Sequence, residues 1–341
     1  MLAKTSNYLP IIVCLSLFST AQATDDKSFY LTPPWTLSPD EKKLAITVYS
    51  DEMRSCNILF IDEAVPFLMP ITSQHDGILM GAAWRPSDTN STLSLITAPE
   101  DDRAKMFEYQ ISEAGFRILE KVPLKKDCVF VSPAWNDDGT ILAMRMTEPF
   151  ANRYGHLVFS YDNGRTIIPT DFNIGGGNLV WKGRSTIFIQ DANYVIYEIK
   201  ITGTTVQLEK KRAFGRGVHL AGRLGGQPIY FKQNEIRRVE NNDLLYTAKD
   251  PVIGPYANDD GYIVFSVRDS NEKILLNDQG KELYRRIIDG KKQFITFVEK
   301  QQALYFLDEN MQVIKKYNFA DQTTSTVYNI TAHSITSKNN K

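Results

Sequence analysis

Short apolar runs recur along the chain, each just behind a polar turn. Seven such runs align. They begin at Leu44 (LAITV), Leu93 (LSLIT), Ile141 (ILAMRM), Ile187 (IFIQ), Ile229 (IYF), Ile263 (IVFSV) and Leu304 (LYFL). Successive starts are 49, 48, 46, 42, 34 and 41 residues apart. No stretch shows a long helical period, and Gly and Pro punctuate the chain throughout. A period in the forties made of short strands and turns is the mark of a radial, repeated β-architecture.

The lead-in to each run repeats as well. Trp35, Trp84, Trp135 and Trp181 precede their runs by 9, 9, 6 and 6 positions, and they are all the tryptophans in the chain. They are read as one structural slot that packs neighbouring repeats together. Tight turns follow three of them: Ser38-Pro39-Asp40, Arg85-Pro86-Ser87-Asp88 and Asn136-Asp137-Asp138-Gly139. The sixth unit has Asn258-Asp259-Asp260-Gly261 after Tyr256. Pro supplies a fixed φ, Asp and Asn bond to nearby backbone, and Gly tolerates positive φ. Three more strands follow in each unit. In the third they are expected at Ile141–Met146, His156–Tyr161 and Thr166–Pro169. In the fifth, four strands are expected at Gly217–Ala221, Pro228–Phe231, Ile236–Val239 and Leu244–Tyr246. The expected fold is all-β, a single seven-bladed β-propeller over residues 24–331 with a frayed tail at 332–341. The short 34-residue step leaves six or eight blades open.

The run from Ser132 to Ala143 (SPAWNDDGTILA), with Trp35, Ser38-Pro39-Asp40 and Leu44-Ala45, resembles the WD40-like (PD40) repeats of TolB-type propellers. The prolyl oligopeptidase propeller is similar. The resemblance implies the propeller fold. TolB carries an α/β domain ahead of its propeller, so the expectation is a TolB-like propeller without that N-terminal domain. The Gly-x-Ser-x-Gly elbow of the peptidases does not occur in the sequence.

Composition narrows the setting. The formal net charge is −1, so no basic surplus points to nucleic acid or anionic lipid. Lys4, the apolar run Tyr8–Phe18 and the small-residue pair around Gln22 (Ala21, Ala23) read as a secretory signal peptide over residues 1–23. Cleavage is expected after Ala23, giving a periplasmic or secreted protein. No later segment approaches the roughly 20 apolar residues of a transmembrane helix. Beyond the leader, the cysteines are Cys56 and Cys128. One blade separates them, so two free thiols are expected even in an oxidising compartment.

Local catalytic signatures are scarce. Ser160-Tyr161-Asp162-Asn163-Gly164-Arg165-Thr166 matches an Asp box and is read as a turn. Gly175-Gly176-Gly177 lacks the Lys-Ser/Thr of a phosphate loop. The histidines are dispersed, which offers no local metal-ligand pair. The expected function is recognition: a monomeric, non-enzymatic scaffold that binds a protein or an envelope component, with no cofactor or metal. The alternative is a glycoside hydrolase or lyase with carboxylates at the central axis. The expected site lies on the loops between second and third strands and between blades. It comprises Arg54, His75, Asp101, Asp102, Arg103, Arg153, Tyr154 and Arg216.

Overall fold

The computed structural model describes residues 30–49, 54–62, 66–71, 78–86, 91–98, 104–125, 128–147, 155–175, 178–258, 261–290 and 295–330. The expected leader and tail lie outside the described residues. Seven four-stranded antiparallel sheets follow one another along the chain, each in simple sequential strand order. The blades span 30–70, 78–123, 129–174, 180–213, 218–247, 252–287 and 295–329. They form a ring, a seven-bladed β-propeller, in which the first strands of neighbouring blades touch and line the axis.

The core is not one mass but seven seams. Every buried hydrophobic cluster belongs to one pair of adjacent blades. Ala45, Cys56 and Ile58 of blade 1 meet Trp84, Leu93 and Leu95 of blade 2. Met106 and Leu124 of blade 2 meet Phe130 and Trp135 of blade 3, and so on around the ring. The second and third strands are apolar on both faces because a blade is covered on both sides. That is why the sequence shows continuous apolar runs rather than alternation.

The 34-residue step holds four strands because its loops are minimal. The first turn of blade 5 is Gly225-Gly226, with φ of 57° and 71°, the two-residue hairpin turn that needs positive φ at both positions.

Three tryptophans occupy one slot and the fourth does not. Trp84, Trp135 and Trp181 pair with Leu93, Leu142 and Ile187, the first core residue of the second strand. In blade 1 the equivalent residue is Leu37, paired with Leu44, whereas Trp35 pairs with Ile46. In blade 6 Ala257 pairs with Ile263, so Tyr256 stands one residue early. Each slot tryptophan reaches the preceding blade through its indole N–H. Trp84 donates to Thr36 O (3.1 Å), Trp135 to Ser94 Oγ (3.0 Å) and Trp181 to Ala134 O (2.9 Å). Trp135 is further covered by the Arg85 guanidinium, 4.3 Å from its ring. The inner strands also share a bulge, at Pro33-Pro34, Met80, Ser132-Pro133, Ala221 and Gly254-Pro255. It bends the strand where the axis is crowded.

Cys56 and Cys128 are both buried and unpaired with each other, in the seams of blades 1–2 and 2–3. Burial pushes the Cys56 thiol pKa well up. Both thiols are therefore expected to react with an aromatic disulfide reagent only after unfolding, and fast labelling in native buffer would contradict this. Trp135→Ala is expected to cost ~3–5 kcal/mol in urea denaturation, through the cavity and the lost stack. Trp35→Ala, at a half-buried position, is expected to cost less.

Candidate recognition surface

The ring has two unlike faces. One carries the turns between first and second strands and between third and fourth strands. The other carries the loops between second and third strands and the connectors between blades.

The turn face is occupied with holding the ring together. In the stretch Trp135–Ile141, Asn136 Oδ1 accepts from Thr140 N (2.8 Å) and Ile141 N (2.9 Å), while its Nδ2 donates to Arg184 O of blade 4 (2.7 Å). Asp137 accepts from Gly183 N (2.9 Å) and pairs with Arg223 of blade 5. Lys43 bridges Asp40 and Ser91 across blades 1 and 2. Arg85 donates to Gly139 O (2.8 Å) and Asn163 Oδ1 (2.9 Å). Lys182 pairs with Glu240, and Arg238 donates to Asp278 O (2.7 Å). The Asp box behaves as a turn: Ser160 Oγ donates to Asp162, which accepts from Thr166 N.

The seven inner strands contain no Asp or Glu; their titratable side chains are Tyr30, Lys182, His219, Arg223 and Tyr256. Among the described residues no group of three or more His, Cys, Asp or Glu is placed to hold a metal ion.

On the connector face, an aromatic cluster spans blades 4 and 5. The turn Asp191-Ala192-Asn193-Tyr194 joins the second and third strands of blade 4 (Thr186–Gln190 and Val195–Thr202). Asp191 Oδ1 accepts from Asn193 N and Val195 N, both at 2.8 Å, and fixes the turn. Tyr194 closes it with φ of 64°, a left-handed conformation that costs a bulky side chain and suits Gly or Asn. Its ring meets His219 edge-on at 6.1 Å. His219, near the start of the inner strand Val218–Leu224, stacks on Phe231 at 5.0 Å. His219 is exposed, and Tyr194 and Phe231 are half-buried. Desolvation beside these rings holds the His219 pKa below its ordinary value. The neutral imidazole is thus the form presented at neutral pH, able both to donate and to accept. Below this shelf, Phe214 stacks on buried Tyr230 at 4.4 Å, and Lys232 donates to Phe214 O (3.0 Å), which anchors the connector that carries Arg216.

Of the residues expected from sequence, Arg216 is exposed on this connector, a few residues ahead of His219 in the chain. His75, Asp101, Asp102, Arg103, Arg153 and Tyr154 lie outside the described residues, as does the side chain of Arg54. Tyr194, His219 and Phe231 were not among the expected site residues. The one local signal for them was an aromatic residue ending an Asp-x-Asn turn.

Neither a protein-family model nor a curated protein matches the sequence. Solved structures do match in shape. A prolyl endopeptidase superposes with a TM-score of 0.54 at 12% identity, over 76% of this chain and 42% of that one. A putative 6-phosphogluconolactonase from Bacteroides uniformis gives 0.52 at 12% identity, over 89% and 96%. TolB from Acinetobacter baumannii gives 0.44 at 10% identity, over 75% and 62%. The chain spans about two fifths of the length of the prolyl endopeptidase. At these identities the likeness shows the β-propeller fold alone.

A folded-state His219 pKa below the unfolded value makes a signed prediction. The unfolded chain binds the extra proton first as pH falls, so this group makes stability rise with pH up to the unfolded value of about 6.5. Proton NMR should give a His219 midpoint below 6.5, and Phe231→Ala should raise it.

Proposed function

We propose that the chain is an exported, non-enzymatic recognition module that binds a protein or envelope component through its connector face. The observation that carries this reading is the shelf of Tyr194, His219 and Phe231, with Arg216 on the connector that leads into it. Aromatic and Arg side chains on a rigid scaffold are favoured anchors for binding, and here an exposed imidazole stands between two half-buried rings. Export is supported by the leader pattern around Tyr8–Phe18 and Ala21–Ala23. Kinship with TolB-like repeats is supported by the Trp135–Ile141 turn, whose Asn136 and Asp137 tie blade 3 to blades 4 and 5.

The carbohydrate-enzyme alternative asks for a carboxylate pair at the axis, and it is tested by screening the purified protein for turnover of glycosides and polyuronides. The mature chain, used as bait on an extract of its own envelope, should retain a partner. Replacing Tyr194, Arg216 and His219 together by Ala should then weaken binding by at least ~2 kcal/mol. Undiminished affinity, with the β-spectrum in circular dichroism intact, would move the site elsewhere on the ring.

A further inference from the structure

A groove lies on the same face, between the outer strand of blade 3 (Ile168–Ile174) and the Asp191 turn of blade 4. The strand is bulged there. Thr170, Asp171 and Phe172 stand opposite the single residue Leu157. Thr170 Oγ1 holds the bulge, donating to Leu157 O (2.9 Å) and accepting from Phe172 N (3.2 Å). A bulge at this place re-aims side chains, and here it carries Asp171 and Phe172 toward the neighbouring blade. The groove has a volume of about 590 Å³, within the range of small-ligand sites. Asp171, Phe172, Asn173, Asp191, Asn193 and Tyr197 line it with Ala192, and among the described residues the lining holds two carboxylates and no basic side chain, with Lys211 at its edge beside the Tyr197 ring.

The lining has a definite chemistry. Asp171 and Asn173 are exposed, and Asp171 makes no hydrogen bond or ion pair with a described residue. Asp191 is held by its turn and by Tyr197 Oη, which donates to it at 3.1 Å. Phe172 and Tyr197 meet edge to face at 6.1 Å. The Lys211 ammonium lies 5.7 Å from the Tyr197 ring centre, which leaves the Phe172 ring as the stacking surface open to an incoming cation. Two carboxylates, two amides and two aromatic rings suit a planar cation. A guanidinium can stack on a ring and present paired N–H donors to a carboxylate at once.

We propose that this groove receives a basic side chain, an arginine above all, of a polypeptide partner. The inference rests on the reading of the connector face as a recognition surface and adds the chemistry of what it recognises. The test uses two short peptides that differ in one residue, arginine in one and its neutral isostere citrulline in the other. Isotope-edited NMR of the protein is recorded with each. The arginine peptide should shift the amides of Phe172, Asn193 and Tyr197 and bind ~10-fold tighter than the citrulline peptide, as expected for a charge-assisted pair. Added salt should narrow that gap. Asp171→Asn should abolish the preference without changing the fold, and Asp171→Glu should keep part of it. Equal response to the two peptides, no response to either, or shifts produced instead by a neutral oligosaccharide would overturn the proposal. If the groove fails while the Tyr194, Arg216 and His219 replacement still releases the captured partner, only the groove inference falls. If that replacement has no effect, the face reading itself falls.

Discussion

The structure depends on one constraint: each blade is apolar on both sides and must be covered by its neighbours. Around most of the ring the chain simply runs on into the next blade. Blades 7 and 1 have no such connection, because each is built from a continuous stretch and no strand is exchanged between them. Among the described residues, packed side chains and a few hydrogen bonds close that seam. Leu44, Ile46 and Val48 pack against Val298, Tyr305 and Leu307, and Trp35 lies against the same cluster. Polar bonds then lock it: Lys300 N donates to Glu41 (2.8 Å), Lys300 Nζ to Asp40 O (3.0 Å) and Gln301 Nε2 to Ile61 O (3.1 Å). Repeats that touch only their neighbours have roughly additive stability, and closure of the ring removes the two exposed ends.

This closure divides the labour between the two faces. The Asp-, Asn- and Gly-rich turns fill one face with bonds that cross from blade to blade. Asp137 and Arg223, separated by a whole blade in sequence, meet there. Groups so engaged are costly to redirect, since removing one partner strands the other. On the connector face the ties between blades 4 and 5 run through two side chains: Gln190 donates to Val218 O (2.6 Å) and accepts from Leu220 N (2.8 Å), and Asn178 donates to Ala221 O (2.6 Å). The side chains of Tyr194 and His219 stand outside those bonds and meet ring to ring.

The repeat was legible because it is enforced by packing. A second strand buried on both sides leaves a continuous apolar run, and seven such runs gave the blade count, even across the short fifth unit. The tryptophan register was only partly legible. Trp35 and Trp84 both stand nine positions ahead of their runs, but for different reasons. Trp84 sits in the slot with a longer turn after it, whereas Trp35 stands two residues ahead of the slot, next to the Pro33-Pro34 bulge. Spacing along the chain cannot separate a longer turn from an earlier residue. The shelf was not legible for a related reason. Tyr194, His219 and Phe231 belong to three strands or turns of two blades, and charge-rich loops in blades 1 to 3 drew the reading toward them instead. Strand pairing within blade 5 sets His219 against Phe231, and the packing of blade 4 on blade 5 adds Tyr194.

The claim that the connector face is the working surface is tested most directly by site-specific photo-cross-linking in the native host. A benzophenone side chain is placed in turn at Tyr194, on the connector face, and at Gly203, on the turn between the third and fourth strands of blade 4. The account predicts a discrete adduct of higher mass from position 194 and none from position 203. An adduct from position 203 with none from position 194 would contradict it.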